Sequence, residues 1–287
     1  MSTDGPVGIS VILPVRNGEP FLRIQLQALE RQECVTPWEV IVVDNGSTDG
    51  TVATASEFET RLPGFQLLEE ETPGKSRALN RGVAAARGRH LIFVDSDDEM
   101  GEGYLQKMSE ALEEFDVVGS YLDTKTLNPP DARADMVTND GIPTYHDFRP
   151  ALPGCIVAMR ATVCDLVGPY DVTLMSAEDV DYSWRAYALG ATFGRRLDAV
   201  MHVRRPPNSM AAFRKSRGYA RSAVWLYERY RSEGMRRRTL RNVIGMWRWT
   251  LADAFRNGGP WLWGIAWNAG TVYGRAEESI RRRVYFP

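Results

Sequence analysis

Short apolar runs separated by polar turns organise the first third of the chain. Ile9-Ser10-Val11-Ile12-Leu13-Pro14, Glu39-Val40-Ile41-Val42-Val43 and Leu91-Ile92-Phe93-Val94 are rich in β-branched residues and almost free of charge. Such runs predict strands buried on both faces of a sheet. Phe65-Gln66-Leu67-Leu68 is a weaker fourth. Between them the apolar spacing turns helical: Phe21, Ile24, Leu26 and Leu29 mark a helix over Phe21–Arg31, and Thr51–Glu59 follows a polar loop suited to capping. Gly74 opens an Ala-rich helix reaching Arg87. Strand alternating with helix predicts an α/β domain with a mostly parallel central sheet.

Later segments read differently. Tyr121 to Phe148 contains Asn128-Pro129-Pro130 and few apolar residues, and reads as a long loop. Pro153–Arg160 and Ala199-Val200-Met201 are strand-like, with a helix beginning in Ser176–Arg185. From Met210 the pattern is helical. Phe213, Ala220, Val224, Tyr227 and Tyr230 form one amphipathic set beside a stripe of Arg214, Arg217 and Arg221; Leu240, Val243, Ile244, Trp247, Leu251, Ala254 and Phe255 form another. Gly258-Gly259-Pro260 ends it, and Trp261–Gly274 is uncharged but broken by glycine, shorter than the roughly 20 residues of a membrane span. The expected division is a catalytic domain at 1–209, with halves meeting near residue 100, and a helical region at 210–287.

Charge reinforces that division. The net charge of −2 conceals residues 204–287, with 18 basic and 5 acidic side chains, against 17 and 32 in residues 1–203. Six of the eight tryptophans lie in the basic part. Three cysteines without a CxxC pair argue against a disulfide framework or zinc site. The N-terminus lacks the basic and apolar segments of a signal peptide, so a cytoplasmic protein is expected.

Polar residues gather where the strands end. The Leu91 run meets Asp95-Ser96-Asp97-Asp98, the second strand meets Asp44-Asn45, the first meets Asn17, and Lys75 and Arg77 open the third helix. Open α/β sheets bind ligands at the carboxyl ends of their strands. Three close carboxylates repel one another unless a cation such as Mg²⁺ or Mn²⁺ neutralises them. An acidic residue can accept from the imide N–H of uracil, and a lysine or arginine can meet phosphate. No G-x-G-x-x-G follows the first strand and no P-loop occurs, which excludes the usual dinucleotide and NTPase signatures.

On Val11–Asn17, Val42–Thr51, Gly74–Gly82 and Phe93–Asp98, taken in order and spacing, residues 9–205 resemble a family 2 glycosyltransferase with the GT-A fold. The resemblance implies a nucleotide-sugar donor, UDP favoured, a divalent metal and inversion at the anomeric carbon. Donor-binding residues would be Pro14, Val15, Asn17, Asp44, Asn45, Lys75, Arg77, Asp95 and Asp97; metal ligands would be Asp97, Asp98 and His202. Glu178 and Asp179 match the family's acidic pair at a helix start, with Asp179 the implied general base. Asp44-Asn45 departs from the two consecutive acids common at that place, so base recognition would rest on Asp44. Arg204, Arg205 and Arg214 are further candidates for the diphosphate or the acceptor.

Two rival functions are a nucleotidyltransferase making sugar nucleotides, whose usual Gly-rich phosphate loop is missing from Pro14-Val15-Arg16-Asn17-Gly18, and a noncatalytic nucleotide-binding scaffold. The 210–287 region is expected to pack on the catalytic domain, to pair two subunits, or to touch the inner face of a membrane. Nucleic acid is not an expected partner, because no recognition motif accompanies the charge.

Overall fold

The computed structural model describes residues 7–129, 141–257 and 261–287, with residues 253–257 described in backbone only. Its centre is an eight-stranded sheet in the order β3-β2-β1-β4-β9-β6-β10-β5. These strands are β1 (Ile9–Val15), β2 (Trp38–Asp44), β3 (Gln66–Glu69), β4 (His90–Phe93), β5 (Glu99–Met100), β6 (Val117–Asp123), β9 (Val157–Arg160) and β10 (Phe193–His202). A separate small ribbon joins β7 (Thr144–Tyr145) to β8 (Arg149–Pro150). β1 pairs in parallel with both β2 and β4, and β2 with β3. β9 runs antiparallel between β4 and β6, β10 is parallel to β6, and β5 turns back along β10. This mostly parallel sheet is the Rossmann-like GT-A architecture, followed by C-terminal helices.

Strands β1 to β4 form where the apolar runs predict them. Every residue of β1 is buried, because helices cover both faces of the sheet. α1 (Glu19–Glu30) packs Leu22, Leu26 and Leu29 into the same core as Ile9, Val11 and Val40. α2 (Thr51–Ser56) is shorter than expected, dissolving into turns after Ser56. α3 (Lys75–Ala85) sets Gly82 over β1, where an added Cβ would lie 2.6 Å from the Ile12 side chain.

Two expectations need correcting. The loop expected from Tyr121 begins later, since Tyr121–Asp123 is the end of β6, while residues 130–140 lie outside the described residues. The glycine-broken stretch after Trp261 is instead continuous helix, α9 (Trp261–Arg282). Its glycines allow close contact with α7 (Ser209–Tyr230): a Cβ on Gly270 would stand 2.2 Å from Ser216 Oγ, and one on Gly274 would stand 2.4 Å from the Arg217 carbonyl oxygen. Glycine that weakens an isolated helix here permits two backbones to approach.

α7 also packs on α6 (Glu178–Ala188). Ala223, Val224, Leu226 and Tyr230 share a core with Val180 and Trp184, closed by Val284 and Phe286 from the C-terminal end. The remaining helices are α4 (Tyr104–Ala111), α5 (Ala161–Val167) and α8 (Leu240–Asn257).

Candidate active site

β1 and β4 end side by side, and the chain leaving each is held by polar contacts. Asn17, in the left-handed conformation with φ 52°, accepts from the Thr48 N–H at 2.8 Å while its own N–H donates to Ser47 Oγ at 2.8 Å. Asn45 uses its whole amide on the next loop, donating to the Glu70 and Thr72 carbonyls and accepting from the Gly74 N–H at 2.7 Å. Both asparagines therefore shape the pocket by joining loops. Asp44 differs: one oxygen accepts from the Ser47 N–H at 3.1 Å, while the buried Oδ1 has no partner among the described residues.

The acidic turn after β4 is braced by Gln25, a polar residue on the buried face of α1. It donates to the Asp95 carbonyl at 3.3 Å and accepts from the Met100 N–H at 3.0 Å. Within the turn Asp98 is 2% exposed, and Asp97 faces out. Donor atoms of Asp95, Asp98 and Cys155 all lie within 4.8 Å of one another. Burial, then the Asp95 and Asp97 charges, push the Asp98 carboxyl well above the usual range, against the pull of the Arg204 N–H at 2.9 Å. Loss of hydration and Asp95 raise Asp97 as well.

His202 lies outside that group of three. Its Nδ1 meets Asp123 Oδ2 at 2.6 Å. Against the cost of burial, hydrogen bonds from Thr126 and His202 and from the Lys125 N–H bring Asp123 down to about 2. An anionic Asp123 favours the proton on Nδ1 and leaves the Nε2 lone pair for another partner, as in carboxylate-histidine pairs behind metal ligands.

Opposite the acidic turn stands the start of α6. Ala177, a non-glycine residue at φ 58°, makes the sharp entry, and Glu178 and Asp179 occupy the first turn, where the helix dipole favours anions. Asp179 accepts the Gly154 N–H at 2.7 Å and its own helix's Val180 N–H at 2.8 Å. Burial, then the neighbouring Glu178, nevertheless raise Asp179 to about 6. Lys75 bridges the two sides, 2.5 Å from Asp95 and 3.6 Å from Glu178. Burial disfavours its charge, yet Asp95 and Glu178 hold it protonated well above the ordinary lysine range.

One cleft joins these groups, lined by Pro14, Lys75, Asp95, Gly154, Tyr170, Glu178 and Asp179. The structure thus brings Pro14, Lys75, Asp95, Glu178 and Asp179 together. Arg77 does not line this cleft. Tyr170, Gln25 and Cys155 were not legible as site residues. Tyr170 is fixed by reciprocal backbone bonds to the Asn80 amide and stacks on Tyr182 with centroids 3.9 Å apart. Tyr219 of α7 also reaches this region: burial, then the Asp179 charge, raise its phenol.

The model of the glycosyl transferase family 2 domain matches residues 10–164, more than half of the chain. The chain belongs to this family. It is a glycosyltransferase. The chain is 28% identical over 250 residues to glycosyltransferase AglE of Haloferax volcanii, covering 85% of this chain and 80% of that one. It is 32% identical over 136 residues to the uncharacterized glycosyltransferase EpsJ of Bacillus subtilis, of which it spans only 39%. Among solved structures, mannosyltransferase PcManGT of Pyrobaculum calidifontis, in complex with GDP-Man and Mn²⁺, superposes with a TM-score of 0.60 at 20% identity, covering 97% of this chain and 76% of that one. Residues 1–349 of S. aureus TarS give 0.57 at 20% identity, covering 98% and 93%. At these identities the structural likeness establishes the GT-A fold alone.

Proposed function

We propose that this glycosyltransferase moves a sugar from a nucleoside-diphosphate donor, UDP favoured, to an acceptor hydroxyl in one inverting displacement. The observation that carries this reading is Asp179. It sits half-buried at a helix start, faces the acidic turn across a cleft and has a pKa raised to about 6. A base so poised is mostly ionised at neutral pH yet basic enough to accept a hydroxyl proton in the transition state. Glu178 raises its basicity by like charge and helps hold Lys75. The unpaired Asp44 oxygen is suited to a base imide N–H, and Lys75 to phosphate.

The donor set fits a divalent cation. Hard carboxylate oxygens suit Mn²⁺ or Mg²⁺, and a cation would relieve the repulsion that raises Asp98. Asp98 and Asp97 would hold it, and His202 would be a further ligand through Nε2. When bound, the ion would offset charge on the departing nucleoside diphosphate. Asp179 would stand on the opposite side of the anomeric carbon, which yields inversion.

Calorimetric titration of UDP, GDP and dTDP, with Mn²⁺ and with EDTA, tests the reading in wild type and Asp98→Ala. Mn²⁺-dependent binding of one nucleotide, weakened by the substitution, is expected. Absence of binding for all three nucleotides under both conditions would overturn the donor site. Binding indifferent to EDTA would remove the metal roles alone.

A further inference from the structure

The arginines of the helical region fall into two populations. On α7 and α9 most are paired: Arg217 pairs with Glu277 at 2.7 Å, Arg221 with Glu278 at 3.0 Å, and Arg282 with both Glu228 and Glu278 at 2.7 Å. Around α8 they are not. From Arg236 to Ala252 the sequence holds five arginines and no acid. Arg238 lies 3.8 Å from Asp147, whereas Arg236, Arg237, Arg241 and Arg248 are exposed and make no ion pair among the described residues.

The same helix turns apolar side chains into water. Leu240, Ile244 and Leu251 are 62%, 59% and 47% exposed. Their spacing of four and seven residues sets them on one stripe. Arg241 and Arg248 run beside it, about 100° round the helix. The side facing α9 is a different one: there Thr250 Oγ1 and the Met246 carbonyl accept from Asn268. At the start of α9, Trp261 and Leu262 add two more apolar side chains, 53% and 56% exposed.

We propose that this surface seats the protein on an anionic lipid bilayer, with α8 lying in the interface plane. Leucine, isoleucine and tryptophan enter the headgroup boundary while unpaired arginines meet lipid phosphate. No described helix is long and apolar enough to cross a membrane, so contact is from one side. Charge selects the occupant. A second copy docked face to face would bring four unpaired arginines against four, whereas an anionic bilayer supplies the missing counter-charge.

Flotation of the full chain with vesicles tests this without any sugar substrate, so its outcome is independent of the proposed transfer reaction. Vesicles of phosphatidylcholine alone are compared with vesicles carrying about one third phosphatidylglycerol. Selective binding to the anionic vesicles is expected. Ile244→Asp with Leu251→Asp, and separately Arg241→Glu with Arg248→Glu, should each weaken that binding by more than about tenfold. Because these side chains are exposed, the melting temperature should not change. Equal binding to both vesicle types, no binding to either, or variants that float like wild type would each overturn the proposal. A dimer seen by light scattering and dissolved by the Ile244→Asp pair, without flotation, would assign the face to a second copy instead.

Discussion

The acidic cleft and the α7–α9 hairpin use charge in opposite ways. In the hairpin each buried or half-buried glutamate has arginine partners: Glu278 is 3% exposed and meets Arg221 and Arg282. These hydrogen bonds, outweighing the cost of burial, draw its carboxyl below the usual range. In the cleft, Asp98 is as buried as Glu278 but crowded by other acids, and its carboxyl moves up instead. Lys75 is the single cation directly paired with the cleft acids Asp95 and Glu178 among the described residues. Satisfied charge holds an architecture together, and unsatisfied charge is tolerated where a ligand is expected to complete it.

The largest effect that would sharpen this contrast is at Asp179. Asp179→Asn removes the proton acceptor while keeping an oxygen for the Gly154 N–H. Transfer rate should fall by about 10²–10⁴, with nucleotide binding retained. The wild-type rate should rise with pH through an apparent pKa near 6 as the carboxyl ionises. Stability should move the other way. A folded pKa above the unfolded value favours folding at low pH, and that contribution is lost as pH rises from about 4 to about 6. The Asn variant should lack both this stability component and the activity limb. Unchanged kcat in Asp179→Asn would place the base elsewhere.

A smaller effect tests the neutral side of the comparison. Gly270→Ala forces a Cβ to 2.2 Å from Ser216 Oγ and 2.4 Å from the Phe213 carbonyl oxygen. The helix-propensity gain of about 1 kcal/mol for alanine over glycine should be exceeded by overpacking of about 1–3 kcal/mol. A melting temperature lowered by a few degrees is expected. A rise would show that α7 and α9 can part without loss.

Legibility followed the same divide. β1 and β2 could be read because a strand covered on both faces must be apolar along its whole length. β6 could not: Gly119, Ser120 and the exposed Tyr121 interrupt its apolar pattern. Only the end of β10 was visible, since Arg195, Arg196 and Asp198 dilute the rest. In α9 glycine was read by its local cost, and the gain it allows depends on a helix about fifty residues earlier in sequence. At the site, Asp95 and Asp98 could be read as candidates because three acids crowd one strand end. Asp179 became a candidate only through the family resemblance, since an acid at a helix start is common as a cap. Cys155 and Tyr170 were not legible, because an ordinary side chain becomes part of a cleft only through distant neighbours. Gln25 had a faint signal, a buried polar residue on the apolar face of α1. Asn45 was legible as a site position, but its amide is spent on the Glu70–Gly74 loop.

The smallest effect concerns Asp123, which belongs to neither extreme. It is paired with His202, yet the pair sits beside the acidic turn: His202 is opposite Glu99 across the β10–β5 pairing, one residue from Asp98. Asp123→Asn keeps an oxygen for the Lys125 N–H and presents an amide N–H where His202 needs an acceptor. The imidazole would then lose its reason to keep the proton on Nδ1, and Nε2 would no longer be held as a lone pair. Loss of such an orienting carboxylate costs about 10–100-fold in metal affinity, so Mn²⁺ binding measured by calorimetry should weaken at the lower end of that range. The melting temperature of the metal-free protein serves as the control. Weaker Mn²⁺ binding without a drop in that temperature would tie His202 to the cation. Unchanged Mn²⁺ binding would make the Asp123–His202 pair a brace between β6 and β10, and leave the ion to the carboxylates of the acidic turn.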